Sequence, residues 1–78
     1  MATIRLFAQA REAAGTGTDE IDAPDVAAVL DEARRRYGSS FEAVLSTCKV
    51  WLNGEPVEGD AAVGPEDEVA VLPPVSGG

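Results

Sequence analysis

The chain has 78 residues, and its 14 acidic and 6 basic side chains give it a formal net charge of −8. A single domain of this length buries only about 60% of the surface that its unfolded form exposes, so it has little room for the cleft that an enzyme needs. The acidic balance disfavours nucleic acid as a partner, because phosphate binding requires an excess of Lys and Arg.

Two residue types that often carry side-chain catalysis, histidine and cysteine, are absent or nearly absent. The sequence has no histidine, and its one cysteine is Cys48. The commonest general base and metal ligand are therefore missing, and neither an intramolecular disulfide nor a cysteine-only metal site can form. The start of the chain lacks a signal-peptide pattern, and no apolar run approaches membrane-spanning length. We expect a cytoplasmic protein that binds or carries, with no metal and no membrane or nucleic-acid partner.

The first half of the chain predicts two strands and a helix. Alternation of polar and apolar residues indicates a strand from Thr3 to Ala8, and a second strand from Thr18 to Asp22 has Ile21 as its inward residue. Asp25 can cap a helix that ends at Gly38. The apolar stripe of that helix consists of Val26, Val29, Leu30, Ala33 and Tyr37.

The second half predicts a short helix and three more strands. The capping-box spacing of 39–42 places a helix start there. Lys49–Leu52 is a strand, and Asn53-Gly54 after it is a hairpin signal. Glu68–Leu72 is the last strand, stopped by Pro73-Pro74 because proline cannot donate ladder hydrogen bonds. The order of these predicted strands and helices indicates an α+β fold. By analogy, we expect a β-grasp, which is a mixed sheet of about five strands with one main helix packed across it.

The end of the sequence differs from that of a generic small domain. Pro73-Pro74 stiffens the backbone into an extended conformation, which predicts a β-grasp domain over 1–74 and a flexible tail over 75–78. Gly77 and Gly78 carry no side chain, so the last peptide can enter a channel too narrow for other residues. A Gly-Gly end taken alone is more typical of a frayed terminus.

Three segments read together change that interpretation: 5–12 with Gly15 after it, 50–54, and 67–78. They resemble the small subunits of molybdopterin synthase, in the MoaD/ThiS family of ubiquitin-like sulfur carriers. The closing Pro-Pro-Val-Ser-Gly-Gly run is the most specific part, because thiazole-synthesis carriers usually share only the double glycine. One departure is 64–68, where the family more often has Gly-Asp-Glu-Val directly; we expect a longer loop without chemical effect.

The resemblance implies that Gly78 is the reactive residue. An E1-like activating enzyme would adenylate its carboxylate with ATP, leaving AMP transiently attached, and a sulfurtransferase would convert the adenylate to a thiocarboxylate. Gly77 and Ser76 would follow Gly78 into the partner sites. The large synthase subunit would then use the sulfur to build the dithiolene of molybdopterin from cyclic pyranopterin monophosphate. No cofactor would be bound permanently, and the carrier would catalyse nothing alone.

A docking patch is expected on the sheet. If the sheet has the family strand order, Phe7, Trp51 and Leu72 adjoin on the face opposite the main helix, bordered by Arg5 and Lys49. Aromatic side chains on an open face commonly anchor protein interfaces. The alternative is that Trp51 and Phe7 fold over to cover the sheet.

Other interpretations stay open. A carrier for thiamine or cysteine biosynthesis would share the chemistry and differ in its partner. A ubiquitin-like modifier would instead form an isopeptide bond to a lysine of another protein. In a plain binding module, the two terminal glycines would be dispensable. Arg34–Arg36 suit the helix dipole better than a phosphate site. Cys48 is predicted to be a half-buried small residue rather than a sulfur acceptor.

Overall fold

The computed structural model describes residues 1–74. Its elements in chain order are β1 (Ala2–Leu6), α1 (Ala8–Ala14), β2 (Thr18–Ile21), α2 (Val26–Tyr37), α3 (Ser39–Leu45), β3 (Lys49–Leu52), β4 (Glu55–Pro56) and β5 (Glu68–Leu72). Within these residues, five strands form one sheet in the order β2-β1-β5-β3-β4. Because β5 runs parallel to β1 and antiparallel to β3, the sheet is mixed. The predicted β-grasp is confirmed, whereas the tail predicted for 75–78 lies outside the described residues.

The core lies between one face of the sheet and the helices. Alternate residues of the two central strands, Ile4 and Leu6 in β1 and Val69 and Val71 in β5, are buried there. The whole buried set is Ala2, Ile4, Leu6, Ala10, Ile21, Val26, Val29, Ala33, Phe41, Leu45, Val63, Val69 and Val71. Burying a branched or aromatic side chain stabilises a fold by about 1.5–3 kcal/mol, so this set supplies most of the stability.

Helix α2 has the boundaries that the sequence predicts. Asp25 accepts a hydrogen bond from the backbone N–H of Ala28 through Oδ1 at 2.8 Å, which satisfies a donor that the first turn would leave free. The helix ends at Gly38, whose φ of 89° is in the left-handed region. Leu30 and Tyr37 of the predicted stripe are partly buried against the core.

The arginines at the end of α2 are held in structural contacts. Arg36 pairs with Glu32 at 2.8 Å and with Asp19 at 3.2 Å, and its Nη1 donates to the carbonyl of Glu20 at 2.8 Å. Tyr37 donates its hydroxyl hydrogen to Asp19 at 2.7 Å, and this bond, the largest influence, lowers the pKa of that carboxyl. These contacts join α2 to the edge strand β2, as expected of residues with a structural role.

The first predicted strand extends too far. β1 ends at Leu6, and Ala8, predicted as its last inward residue, begins α1 instead. The chain leaves the strand through an extended Phe7 and a left-handed Ala8 with φ of 49°. The sequence pattern does not predict α1, because small alanines at alternate positions fit both a strand and a helix, although Ala, Gln, Arg and Glu are strong helix formers.

The predicted capping box is also wrong. α3 begins at Ser39 itself, with Gly38 in the cap position and no side-chain cap bond within the described residues. Gly38 serves both as the C-cap of α2 and as the N-cap of α3. Ser39 is therefore the first helical residue of α3 and does not occupy the cap position. The backbone N–H of Glu42 instead donates to the carbonyl of Gly38 at 3.1 Å.

The hairpin between β3 and β4 follows its sequence signal. Asn53 and Gly54 have φ values of 52° and 87°, as a two-residue type I′ turn requires. The Asn53 side chain donates to Asp67 at 3.0 Å and accepts from the N–H of Glu68 at 2.9 Å, while Asp67 also accepts from the N–H of Gly64 at 2.7 Å. The unusual 64–68 segment is therefore a hydrogen-bonded turn that leads into β5.

No helix within residues 1–74 is long and apolar enough to cross a membrane.

Replacing the α2 cap should destabilise the fold without altering it. Asp25→Ala leaves the N–H of Ala28 without its acceptor, and we expect the free energy of unfolding to fall by about 1 kcal/mol in denaturant titrations. Asp22→Ala, which removes an exposed carboxylate just before the helix, is the matched control and should change it by less than about 0.5 kcal/mol. Equal losses for the two variants would contradict a capping role.

Candidate functional site

The open face of the sheet brings the predicted docking residues together. Trp51 lies opposite Ala70, and Ala70 lies beside Arg5 on its other side. Lys49 lies opposite Leu72. Residues in direct register share a face of the sheet, and the neighbours of Ala70 and Leu72 along β5 point to the core. Trp51, Leu72, Lys49 and Arg5 therefore share the face opposite α2, as predicted.

Phe7 extends this group at the end of β1. Its extended backbone (φ −122°, ψ 151°) continues the strand alternation, and its N–H donates to the carbonyl of Val71 at 3.3 Å. This places Phe7 next to Leu72 in register. Phe7 is 42% exposed, whereas Trp51 is half-buried. We call Phe7, Trp51 and Leu72, with Arg5 and Lys49 at their border, the docking patch.

The docking patch runs into the root of the C-terminal tail. A shallow cavity of about 370 Å³ is lined by Lys49, Trp51, Leu72, Pro73 and Pro74. The two prolines follow directly from β5, so the point from which the tail departs borders the same cavity as Trp51. The sequence predicts the two prolines as a strand stop and as a stiff extension, but not as walls of this cavity.

Ala70 also belongs to this face, although it is not among the residues predicted for the docking patch. The period-two alternation of β5 puts Glu68, Ala70 and Leu72 on the open face, and the small side chain of Ala70 lies between those of Arg5 and Trp51. A larger residue there would fill the middle of the docking patch. On the other side of the tail root, Pro74 borders a second hollow of about 550 Å³ with Gln9, Ala43, Val44 and Thr47.

The two cations of the docking patch differ in their partners. Nη1 of Arg5 lies 3.5 Å from Oε2 of Glu68, and both side chains are about half exposed; a pair this open contributes little to stability. Lys49 is exposed and takes part in none of the ion pairs among residues 1–74. Its ammonium group is therefore available beside the tail root.

Cys48 has the half-buried position that the sequence predicts. Its Sγ donates to the carbonyl of Val44 at 3.2 Å, and burial raises the pKa of the thiol. The thiolate is the reactive form of cysteine, so this environment makes Cys48 a poor sulfur acceptor. Within residues 1–74, no group of three or more His, Cys, Asp and Glu side chains is arranged to hold a metal ion.

The three residues expected to enter partner sites, Ser76, Gly77 and Gly78, lie outside the described residues. The structure gives the place from which they depart. β5 is paired on both sides, with β1 and with β3, and the chain then continues through a half-buried Pro73 to an exposed Pro74. The tail thus starts from the middle of the sheet rather than from its edge.

Comparisons with known sequences agree with this architecture. Residues 4–78 match the ThiS family. The molybdopterin synthase sulfur carrier subunit of Aspergillus niger is 38% identical over 80 residues, which cover 96% of this chain and 91% of that protein. The similarity therefore spans both chains almost completely.

Solved structures with the same fold include two archaeal proteins. SAMP1 from Haloferax volcanii superposes with a TM-score of 0.88 at 30% identity, covering 99% of this chain and 98% of the other. The small archaeal modifier protein 1 from Methanosarcina acetivorans superposes with a TM-score of 0.87 at 28% identity, covering 99% and 95%. The ubiquitin-like fold is thus shared from end to end.

Proposed function

The chain belongs to the ThiS family, and on that premise we propose that it is the sulfur-carrier subunit of a molybdopterin synthase. The observation that carries this proposal is the near full-length similarity to the Aspergillus niger sulfur carrier subunit. The family match also extends through residue 78, so it includes the glycine to which we assign the chemistry.

The proposed reactive group is the main-chain carboxylate of Gly78. A carboxylate is anionic at neutral pH and resists nucleophilic attack, so it needs a leaving group supplied from outside. An E1-like enzyme would attach AMP from ATP to this carboxylate, and a sulfurtransferase would replace the AMP with sulfur. The resulting thiocarboxylate is a softer nucleophile, which the large synthase subunit would use to build the dithiolene of molybdopterin from cyclic pyranopterin monophosphate.

The fold supports this role by fixing the root of the tail. Since β5 is paired on both sides, its end cannot move independently of the sheet. The two prolines add a stiff extension, and four residues then separate Pro74 from the reactive carboxyl. Positioning of a reacting atom contributes strongly to rate, so a rigid root lets a partner that holds the domain also place Gly78.

The docking patch is the surface through which we propose that the large subunit holds the domain. It combines two aromatic rings and a leucine with two cations, and it adjoins the tail root through the cavity beside Pro73 and Pro74. A partner that covers this patch would therefore receive the tail in its own active site. Ser76 and Gly77 would enter that active site together with Gly78.

A second candidate function is protein modification. The archaeal relatives of similar fold include one described as a small archaeal modifier protein. A modifier would use the same activated Gly78 carboxyl and transfer it to a lysine of another protein instead of exchanging oxygen for sulfur. Carriers for thiamine or cysteine biosynthesis would differ only in the enzyme that takes the sulfur. The group attached to Gly78 distinguishes a protein modifier from a sulfur carrier. The enzyme that co-purifies with the chain distinguishes a carrier for molybdopterin synthase from a carrier for thiamine or cysteine biosynthesis.

The chemical proposal predicts where sulfur appears. Incubation with ATP, the activating enzyme and a sulfur donor should raise the mass of the protein by one exchange of oxygen for sulfur, located at Gly78 by fragmentation. Cys48→Ala should leave the mass change intact, whereas deletion of Gly78 should abolish it. An added residue after Gly78 should also abolish it, because a misplacement of about 1 Å can cost roughly 100-fold in rate. Sulfur on Cys48, or sulfur that survives the deletion, would refute the proposal.

The docking proposal predicts the effect of a charge in the docking patch. Trp51→Asp should weaken the complex with the large subunit by about 2 kcal/mol or more, roughly 30-fold in Kd, if Trp51 is a central anchor. Titration calorimetry measures this, and an unchanged circular dichroism spectrum shows that the variant is folded. Ser40→Asp, which adds the same charge at an exposed position of α3, is the control and should bind normally. Wild-type affinity in folded Trp51→Asp would remove the patch from the interface.

A further inference from the structure

The sheet has one long edge without a neighbouring strand. Among the strands that the structure describes, β2 and β4 lie at the two ends of the order. β4 has only two residues, and one of them is Pro56, which has no N–H to donate. β2 has four residues and no proline. A free edge of this kind is a template on which another chain can add a strand, so β2 is the edge that needs protection.

Thr18 and Glu20 direct their backbone groups toward this free edge. The N–H of Leu6 in β1 donates to the carbonyl of Gly17 at 2.9 Å. In an antiparallel pair, residues that exchange hydrogen bonds with the neighbouring strand alternate with residues that do not. Counting along the chain from Gly17, Thr18 and Glu20 occupy the positions that do not bond to β1. Their N–H and C=O groups therefore point away from the sheet.

Side chains already bind both N–H groups and both carbonyls of this edge. The hydroxyl of Thr16 donates to the carbonyl of Thr18 at 2.8 Å and accepts from its N–H at 3.4 Å. Oδ1 of Asp19 accepts from the N–H of Glu20 at 2.8 Å, and Nη1 of Arg36 donates to the carbonyl of Glu20 at 2.8 Å. We call these contacts the edge caps. An incoming strand would have to displace them before it could pair with β2.

Helix α2 holds two of the capping side chains in place. Arg36 pairs with Asp19 at 3.2 Å and with Glu32 at 2.8 Å, and Tyr37 donates its hydroxyl hydrogen to Asp19 at 2.7 Å. Because each capping side chain is bound at more than one point, neither can leave the edge without breaking several contacts. The edge caps are thus part of the packing of α2 against the sheet.

The partner most readily available to a free edge is a second copy of the chain. The antiparallel register that uses the edge groups of Thr18 and Glu20 in both copies is centred on Asp19, and Thr18 of one copy then meets Glu20 of the other. This register places the two Asp19 residues directly opposite each other. Like charges in that position destabilise strand pairing, and the net charge of −8 on each copy adds to the repulsion.

We propose that the edge caps keep the β2 edge closed to a second copy of this chain. Without them, Thr18 and Glu20 of two copies exchange ladder hydrogen bonds, and the two sheets join into one. The symmetry axis of such a pair is perpendicular to the sheet, so both docking patches would lie on the same face of the joined sheet. The edge caps therefore keep each docking patch on a separate domain.

The test removes all the edge caps at constant charge. The edge variant combines Thr16→Val, Asp19→Val and Arg36→Leu, and its formal net charge stays at −8 because one acid and one base are lost. In sedimentation equilibrium, we expect it to dimerise at concentrations at least about tenfold below any at which the wild-type chain does. NMR of mixed labelled and unlabelled protein should show contacts between Thr18 of one copy and Glu20 of the other.

The control variant makes the same replacements away from β2, namely Thr47→Val, Asp31→Val and Arg34→Leu. Thr47 donates to a carbonyl of α3, and Asp31 and Arg34 form an ion pair on α2, so this variant also loses a hydroxyl contact and an ion pair. It has the composition, mass and charge of the edge variant, and it should not dimerise more than the wild-type chain. Circular dichroism and thermal unfolding check that both variants fold.

A milder variant serves if the edge variant does not fold. Thr16→Val combined with Arg36→Leu keeps the bond between Tyr37 and Asp19. It should show the same contacts between two copies at high salt concentration, because salt screens the charge of Asp19 that Arg36 no longer balances.

Amide exchange tests the edge caps in the wild-type chain itself. The amide hydrogens of Thr18 and Glu20 should exchange at least about tenfold more slowly than in an unstructured peptide, because a capped N–H must first open. Exchange of both as fast as in such a peptide would overturn the proposal. So would folded variants that stay monomeric, equal dimerisation of the control variant, or a dimer whose contacts lie outside β2.

Discussion

The rest of the molecule depends on the position of β5 between β1 and β3. This strand forms ladder hydrogen bonds on both sides, and it places Val69 and Val71 in the core and Ala70 and Leu72 on the open face. One five-residue segment therefore stabilises the fold, forms the middle of the docking patch and sets the root of the tail. An edge strand could not combine these roles, because its end can fray without breaking the sheet.

Much of this arrangement could be predicted from local signals in the sequence. Asp25 and Gly38 are strong helix boundaries, and Asn53-Gly54 is a strong hairpin signal, so α2 and the β3–β4 hairpin were predicted at the correct positions. α1 was missed because alternate alanines fit both a strand and a helix, and the decision between them lies in the tertiary contact that buries Ala10. The start of α3 was misassigned because Gly38 occupies two cap positions at once, which no local pattern reveals.

The candidate site was predictable to a similar degree. Strand alternation and the assumed strand order were enough to bring Trp51, Leu72 and Lys49 onto one face. The part that Pro73 and Pro74 play in the adjoining cavity was not predictable, because it depends on where the chain turns after leaving the sheet. The roles of Ser76, Gly77 and Gly78 stay predictions, since they concern partners rather than the folding of the domain.

In the proposed function, the domain is recognised by its partners and positions the Gly78 carboxyl, while the partner enzymes catalyse the reactions. A chain without histidine and with a half-buried Cys48 brings few competing nucleophiles to an activated tail, and the preference for arginine over lysine has the same effect. The central claim is that sulfur travels on Gly78 to a product.

Its most direct test uses carrier bearing heavy-isotope sulfur at Gly78, mixed with the large subunit and cyclic pyranopterin monophosphate. We predict that the label moves into the dithiolene of the product and that the carrier returns as a free carboxylate. Label that stays on the carrier, or carrier recovered in amide linkage to a lysine of another protein, would contradict the account.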